Sequence, residues 1–130
     1  MNLVIIESRN KCDKVKKIME TLLKCKCIVL ATGGHIMELP ENDLSVDIQN
    51  DYKLTYRDLP LKRKNIKSIM NSLKNNTFEN VYIATDNDRE GEKIGYDVVK
   101  RCKVKSPKRL IFNSITKDAF SQALVNVTVI

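Results

Sequence analysis

Short apolar runs alternate along this chain with segments of helical periodicity, and this alternation constrains the fold more than any other feature of the sequence. Buried strands are indicated at 3–6 (LVII), 27–31 (CIVLA), 81–84 (VYIA) and 109–112 (RLIF). Apolar residues recur at helical spacing within 15–23, 66–73, 94–102 and 119–124. Strands that alternate with helices predict an α/β fold, with about four mainly parallel strands and helices on both faces of the sheet.

Polar residues refine the predicted boundaries of these elements. Residues with capping side chains precede the first, third and last helices: Ser8 or Asn10, Asp88, and Thr116. Residues 35–60 have no clean period and include two prolines. We therefore expect a long loop there, with one short strand near Tyr52–Tyr56.

Length and composition indicate one intracellular domain. The chain has 130 residues, 42% of them hydrophobic, and no apolar run long enough for a membrane helix. Its first residues lack the basic segment of a signal peptide, which favours an intracellular location. The cysteines form a CxC and two isolated positions, a spacing that favours structural thiols in a reducing compartment over a zinc site: Cys12, Cys25, Cys27 and Cys102.

The distribution of charge raises a question about function. The net charge is +7, which predicts an acidic partner, most commonly nucleic acid. Yet the stretch TDNDREGE (85–92) concentrates four acids in eight residues. Asp86 comes directly after one predicted strand and Glu7 after another. Because the carboxyl ends of neighbouring parallel strands meet at one edge of a sheet, we expect Glu7 and Asp86 to lie close together.

Three interpretations of the stretch 85–92, called here the acidic turn, follow from its residues. In the first, Asp88 only caps a helix and Glu90 and Glu92 only complement its dipole, which leaves Asp86 and Glu7 unexplained. The second is an EF-hand calcium loop, which the preceding strand disfavours. The third is a Mg²⁺ site for phosphate chemistry, in which Asp86, Asp88 and Glu90 ligate the ion and Glu7 is a further ligand or a general acid/base.

Separated motifs resemble one known family, and they occur in the same order as in that family. The segments that resemble the Toprim domain of type IA DNA topoisomerases are LVIIES (3–8) with Lys11 three residues later, GHIMELP (34–40), ATDNDREGE (84–92) and FNSIT (112–116). The resemblance covers nearly the whole chain. It implies a Toprim, Rossmann-like fold formed by residues 1–130 as a single domain.

The resemblance also implies a role for individual residues. The implied metal site binds Mg²⁺ through Asp86, Asp88, Glu90 and Glu7. The implied catalytic residues are Glu7, a general acid/base near the scissile phosphate, and Lys11, which stabilises phosphate charge. The implied nucleic-acid-binding residues are Lys11, His35 and Arg89. Gly91 is expected to let the turn pass close to its neighbours.

Two departures from the family pattern carry expectations of their own. Arg9 stands where the family usually has proline, and we expect its charge to lower the pKa of Glu7. The family cleaves DNA with a tyrosine of a separate downstream domain, whereas Tyr82 and Tyr96 are predicted to lie in a strand and a helix. We therefore expect this chain to be the N-terminal fragment of a longer topoisomerase. The whole protein would act on single-stranded DNA, with its other domains in cis. The fragment alone is not expected to relax supercoils.

Two other functions use the same features differently. A free-standing Toprim nuclease would hydrolyse phosphodiesters with Mg²⁺-activated water and would need no tyrosine. A non-catalytic nucleic-acid-binding module would need only the basic surface. Neutralising Asp86 and Asp88 distinguishes the last function, because DNA binding would then persist or improve.

Overall fold

The strands of the computed structural model, which describes residues 1–38 and 57–129, form a central sheet and a small hairpin-like pair. The strands of the central sheet are β1 Asn2–Ile6, β2 Cys27–Ala31, β5 Val81–Ile83, β6 Lys108–Arg109 and β7 Thr128–Val129. Their order across the sheet is β2-β1-β5-β6-β7. The pair consists of β3 Met37–Glu38 and β4 Arg57–Asp58, which run antiparallel. The strand expected near Tyr52–Tyr56, and Leu39 and Pro40 of GHIMELP, lie outside the described residues.

The strand β1 lies at the centre of the parallel part of the sheet. It pairs in parallel with β2 on one side and with β5 on the other, and β5 pairs in parallel with β6. All five residues of β1 are buried. A continuous apolar run is what a parallel strand covered on both faces requires, so the buried-strand prediction for LVII is confirmed.

Helices cover both faces of this sheet, as predicted. They are α1 Cys12–Leu23, α2 Arg63–Asn75, α3 Arg89–Cys102 and α4 Lys117–Val125. Residues of α1 and α4 pack with Val4 and Ile6 on one face. Residues of α2 and α3 pack with Leu3 and Ile5 on the other. Alternate residues of β1 thus anchor the two halves of the core, because successive side chains of a strand point to opposite faces.

The structure corrects two local predictions and adds a strand that was not predicted. The N-cap of α1 is Lys11, after a 3₁₀ turn at Arg9–Lys11, so neither Ser8 nor Asn10 caps that helix. The fourth predicted strand, 109–112, corresponds to β6, which covers only Lys108–Arg109. Its partner β5 ends at Ile83 and offers no further backbone to pair with. The antiparallel strand β7 was not predicted.

No helix in the described segments combines the length and the apolarity needed to cross a membrane.

Candidate active site

The carboxyl ends of β1 and β5 bring two distant acids into contact. Glu7 follows β1, and its Oε1 accepts a hydrogen bond from the backbone N–H of Asp86 at 2.7 Å, across 79 positions of sequence. The register of the two strands, with Ile5 opposite Ile83, sets this approach. The prediction that Glu7 and Asp86 lie close together is confirmed.

The surroundings of Glu7 raise the pKa of its carboxyl above the ordinary 4.5. Partial burial is the main cause, and the nearby carboxylates of Asp86 and Asp88 add to it. The Asp86 N–H and the charge of His35 oppose the rise without cancelling it. A carboxyl that holds its proton to higher pH is better suited to donate one.

The expectation that Arg9 lowers the pKa of Glu7 is wrong. The charges that shift this pKa belong to Asp86, Asp88 and His35, and the net shift is upward. Arg9 lies in the 3₁₀ turn and lines a separate groove with Cys12 and Asp13. The chain turns between positions 7 and 9, and two residues that are only two positions apart in sequence therefore face different surroundings.

The raised pKa gives a testable dependence of stability on pH. Because folding raises this pKa, the stability that protonated Glu7 contributes to the folded chain is fully present below pH 4.5. It is lost as the pH rises through the higher pKa that Glu7 has in the folded chain. Glu7→Gln removes this ionisation and keeps an oxygen that can accept the Asp86 N–H. Without divalent metal, its stability relative to wild type should increase from acid to neutral pH. Urea unfolding at both pH values measures this, and a difference independent of pH would refute the raised pKa.

The acidic turn is shaped by hydrogen bonds within its own residues. Asp88 is the N-cap of α3, and its Oδ1 accepts the N–H of Gly91 at 2.6 Å, as the sequence predicts. The buried Thr85 hydroxyl donates to the Gly91 carbonyl at 2.8 Å. A Cβ at Gly91 would collide with the carbonyl oxygen of Asp86. The predicted close passage at Gly91 is thus confirmed, and it presses the first turn of α3 against the end of β5.

A buried arginine, which the sequence analysis did not single out, donates hydrogen bonds to backbone carbonyls at the start of this turn. Arg109 is only 4% exposed, and its guanidinium donates to the carbonyls of Ile83, Thr85, Asp86 and Leu110 at 2.7–3.1 Å. It also forms an ion pair with Glu92, at 2.8 Å. Glu92 is thus held by an ion pair with this buried arginine as well as placed in the first turn of α3. The available signal was a charged residue opening an otherwise apolar strand run.

The remaining predicted site residues are placed around this turn. Lys11 lines a cavity of about 170 Å³ together with Glu7, Ser8 and Asp86. His35 lies close enough to Glu7 to affect its pKa, which puts it on the same side of the molecule. Arg89 and Glu90 are exposed in the first turn of α3.

The FNSIT segment borders the other side of the acidic turn. Asn87 Nδ2 donates to Asn113 Oδ1 at 3.0 Å, and both residues line a cavity of about 270 Å³ with Asp86 and Ser114. Thr116 caps α4 by accepting the N–H of Ala119, which confirms that predicted cap. Sequence reasoning did not find the contact between Asn87 and Asn113, because two exposed asparagines 26 positions apart carry no local signal.

Glu7, Asp86 and Asp88 offer carboxylate oxygens that could ligate a divalent cation. Among the described residues, no three His, Cys, Asp or Glu side chains form a closed cluster that could hold a metal ion by themselves. The carboxylates of Glu7, Asp86 and Asp88 are neighbours, and Asp88 has one oxygen outside its cap bond. Mg²⁺ commonly takes only one or two carboxylates and completes its shell with water and substrate phosphate. The donor set therefore fits Mg²⁺ shared with a phosphate group.

The tyrosines in the described part of the chain lie in a strand and in a helix, as predicted. Tyr82 is buried in β5, and this burial, followed by nearby cysteines, raises the pKa of its phenol. Tyr96 is exposed on α3, where Lys100 lies over its ring at 5.9 Å. Tyr52 and Tyr56 lie outside the described residues.

Comparisons with known proteins agree on one family. The sequence pattern of the Toprim domain family matches residues 2–115. The chain is 35% identical over 124 residues to a prokaryotic-type DNA topoisomerase 1 of Acanthamoeba polyphaga mimivirus, covering 95% of this chain and 14% of that protein. It is 33% identical to DNA topoisomerase 1 of Zymomonas mobilis, covering 97% of this chain and 10% of that protein.

A solved structure extends this similarity to three dimensions. Full-length topoisomerase I from Thermotoga maritima superposes with a TM-score of 0.70 and 26% identity. The match covers 95% of this chain and 20% of that structure. The chain therefore spans a fifth or less of the length of each of these relatives.

Proposed function

Because this chain belongs to the Toprim domain family, we propose that it supplies the acidic, Mg²⁺-binding half of a type IA DNA topoisomerase active site. The proposal extends to a single-stranded DNA substrate and to further topoisomerase domains in cis that carry the nucleophilic tyrosine. A DNA substrate agrees with the net charge of +7 and with the intracellular location expected from the sequence. The observation that carries the proposal is the contact of Glu7 with the Asp86 N–H at 2.7 Å.

Glu7 is the general acid/base in this proposal. The tyrosine releases its phenolic proton to solvent and attacks the scissile phosphorus, so that a 5′-phosphotyrosyl bond forms as the bond to the 3′ oxygen of the DNA breaks. The protonated carboxyl of Glu7 donates its proton to the leaving 3′ oxygen. In religation the 3′ hydroxyl returns that proton to the Glu7 carboxylate as it attacks the phosphorus, and the tyrosine oxygen leaves and regains a proton from solvent. The raised pKa of Glu7 supports the first of these roles.

The other predicted residues bind and orient the DNA backbone. Asp86 and Asp88, with Glu90 and Glu7 as further ligands, would hold Mg²⁺. That ion neutralises charge on the phosphate and orients its oxygens when it is bound. Lys11 stabilises phosphate charge from the wall of the cavity that Glu7 and Asp86 also line. Arg89, exposed at the start of α3, and His35, on the same side of the molecule as Glu7, contact the DNA in this proposal.

Cleavage of end-labelled single-stranded DNA by the 130-residue chain, with Mg²⁺ or Mn²⁺, separates this function from its alternatives. We expect DNA binding without cleavage, since the nucleophilic tyrosine of this proposal belongs to another domain. Cleavage to free ends that disappears in Glu7→Gln would instead identify a metal-dependent nuclease. Unchanged or stronger binding after Asp86→Asn, together with no response to metal, would identify a non-catalytic module.

Asp88 allows its metal role to be separated from its capping role. Asparagine caps helices about as well as aspartate, whereas alanine at this position costs about 1 kcal/mol. Asp88→Asn should therefore leave the free energy of unfolding nearly unchanged, and Asp88→Ala should lower it. Both variants should bind Mn²⁺ more weakly than wild type by calorimetric titration. Wild-type Mn²⁺ affinity in a stable Asp88→Asn variant would argue against Asp88 as a ligand.

A further inference from the structure

A pair of thiols lies at the edge of the sheet opposite the acidic turn. Cys27 is the first residue of β2 and pairs in register with Asn2, the first residue of β1. Cys25 lies just before β2, in the connection that follows α1. Glu7 and Asp86 follow the carboxyl ends of β1 and β5, so the thiols lie at the amino end of the same sheet.

The side chain of Asn2 is directed at this thiol pair. Asn2 is only 2% exposed, and its Nδ2 donates to Cys25 Sγ at 3.0 Å. Its Oδ1 is buried and has no hydrogen-bond partner. The Cys25 thiol is partly exposed and is therefore accessible to an external reagent. Cys25 is therefore the member of the pair that is placed to attack an external reagent.

Cys27 has the opposite character. It is 3% exposed, its thiol donates to the backbone carbonyl of Cys25 at 3.9 Å, and its backbone N–H donates to Glu20 Oε2 at 3.0 Å. Burial, reinforced by Cys25 and Glu20, raises the pKa of the Cys27 thiol to about 11. Cys27 is thus protected from solvent and in contact with Cys25, which is the position of a resolving thiol.

We propose that Cys25 and Cys27 form a reversible disulfide, with Cys25 as the attacking thiol and Cys27 as the resolving thiol. The oxidant is a small-molecule disulfide of the glutathione class. The Cys25 thiolate attacks one sulfur of the oxidant, forms a mixed disulfide and releases one thiolate. Cys27 then loses its proton to solvent, attacks the Cys25 sulfur and expels the second thiolate. In total, two protein thiols lose two electrons and one external disulfide gains them.

The spacing of the pair predicts a labile bond. Cys25 lies in the bend before β2, and the Cys27 thiol already reaches the Cys25 carbonyl, so the two residues face each other in the folded chain. The ring that they close is small and strained, and strained disulfides are the ones that are readily reduced again. The pair of Cys25 and Cys27 is therefore suited to reversible oxidation. It also lies away from the acids of the proposed active site, so it is independent of the proposed function.

Oxidation of the 130-residue chain with glutathione disulfide tests the proposal. The reaction is stopped with N-ethylmaleimide and read by intact mass and peptide mapping. In wild type we expect a product in which Cys25 is joined to Cys27 and neither residue carries maleimide, and dithiothreitol added before the maleimide should reverse it completely. Cys27→Ser should stop at a glutathione adduct on Cys25. Cys25→Ser should leave Cys27 unmodified.

Cys12→Ser is the matched control, because Cys12 is also a partly exposed free cysteine. This variant should form the Cys25–Cys27 disulfide as wild type does. A glutathione adduct that persists on wild-type Cys25, or oxidation at Cys12 before Cys25, would overturn the proposal. Urea unfolding of each variant verifies that it is folded before oxidation.

Discussion

Gly91→Ala is expected to lower the free energy of unfolding by about 3 kcal/mol or more, at the upper end of the range for overpacked sites. The added Cβ would collide with the Asp86 carbonyl oxygen and would lie 2.7 Å from its carbonyl carbon. Backbone atoms cannot turn aside as a flexible side chain can. Either α3 must move away from β5, or the acidic turn must open. Urea unfolding followed by circular dichroism measures the loss.

Gly95→Ala provides a graded comparison on the same helix. A Cβ there would lie 2.9 Å from Ile83 Cγ2 and 3.1 Å from Thr85 Oγ1, which are side-chain atoms. We expect a smaller loss than at Gly91, because both side chains can shift by a few tenths of an ångström. Equal stability of Gly91→Ala and wild type would mean that the turn does not pass as close to α3 as described.

Arg109→Met is the second substitution with a large expected effect, about 3–5 kcal/mol of unfolding free energy. Methionine retains the apolar stem but removes every donor to the carbonyls of Thr85, Asp86 and Leu110. The Ile83 carbonyl still accepts the N–H of Leu110 at 3.0 Å. Buried carbonyls without a donor are costly, and the loss should appear as a lower urea midpoint.

Two controls separate the buried hydrogen bonds of Arg109 from its charge. Lys108→Met removes a positive charge from the adjacent position of β6 and should change stability by about 0.5 kcal/mol or less. Glu92→Gln removes the ion-pair partner, whose side chain is 55% exposed, and should cost less than about 1 kcal/mol. A loss in Glu92→Gln as large as in Arg109→Met would place the stabilisation in the ion pair instead of the carbonyl contacts.

The features that the sequence predicted correctly are encoded locally. The apolar runs of β1 and β2 and the capping side chains of Asp88 and Thr116 act within a few residues of their own position. The contact of Glu7 with Asp86 followed from one further rule, that neighbouring parallel strands end at the same edge. These predictions needed no knowledge of side-chain packing.

The features that it missed depend on distant partners. The length of β6 is set by where β5 ends, and β7 exists because β6 offers it an edge. Arg109 is buried because carbonyls of β5 and the acidic turn surround it, although nothing near it in sequence indicates this. Arg9 shows the converse, since its nearness to Glu7 in sequence does not make it an electrostatic partner.

A chimeric enzyme tests the central claim, that Glu7 at the acidic turn is the acid/base of a topoisomerase. This chain would replace the matching segment of the Zymomonas mobilis relative, and relaxation of supercoiled plasmid would be followed with Mg²⁺. We predict relaxation by the chimera, and a loss of about 10²–10⁴-fold in rate in its Glu7→Gln variant with folding and DNA binding retained. Relaxation by the Glu7→Gln chimera at the same rate as the parent chimera would contradict the account.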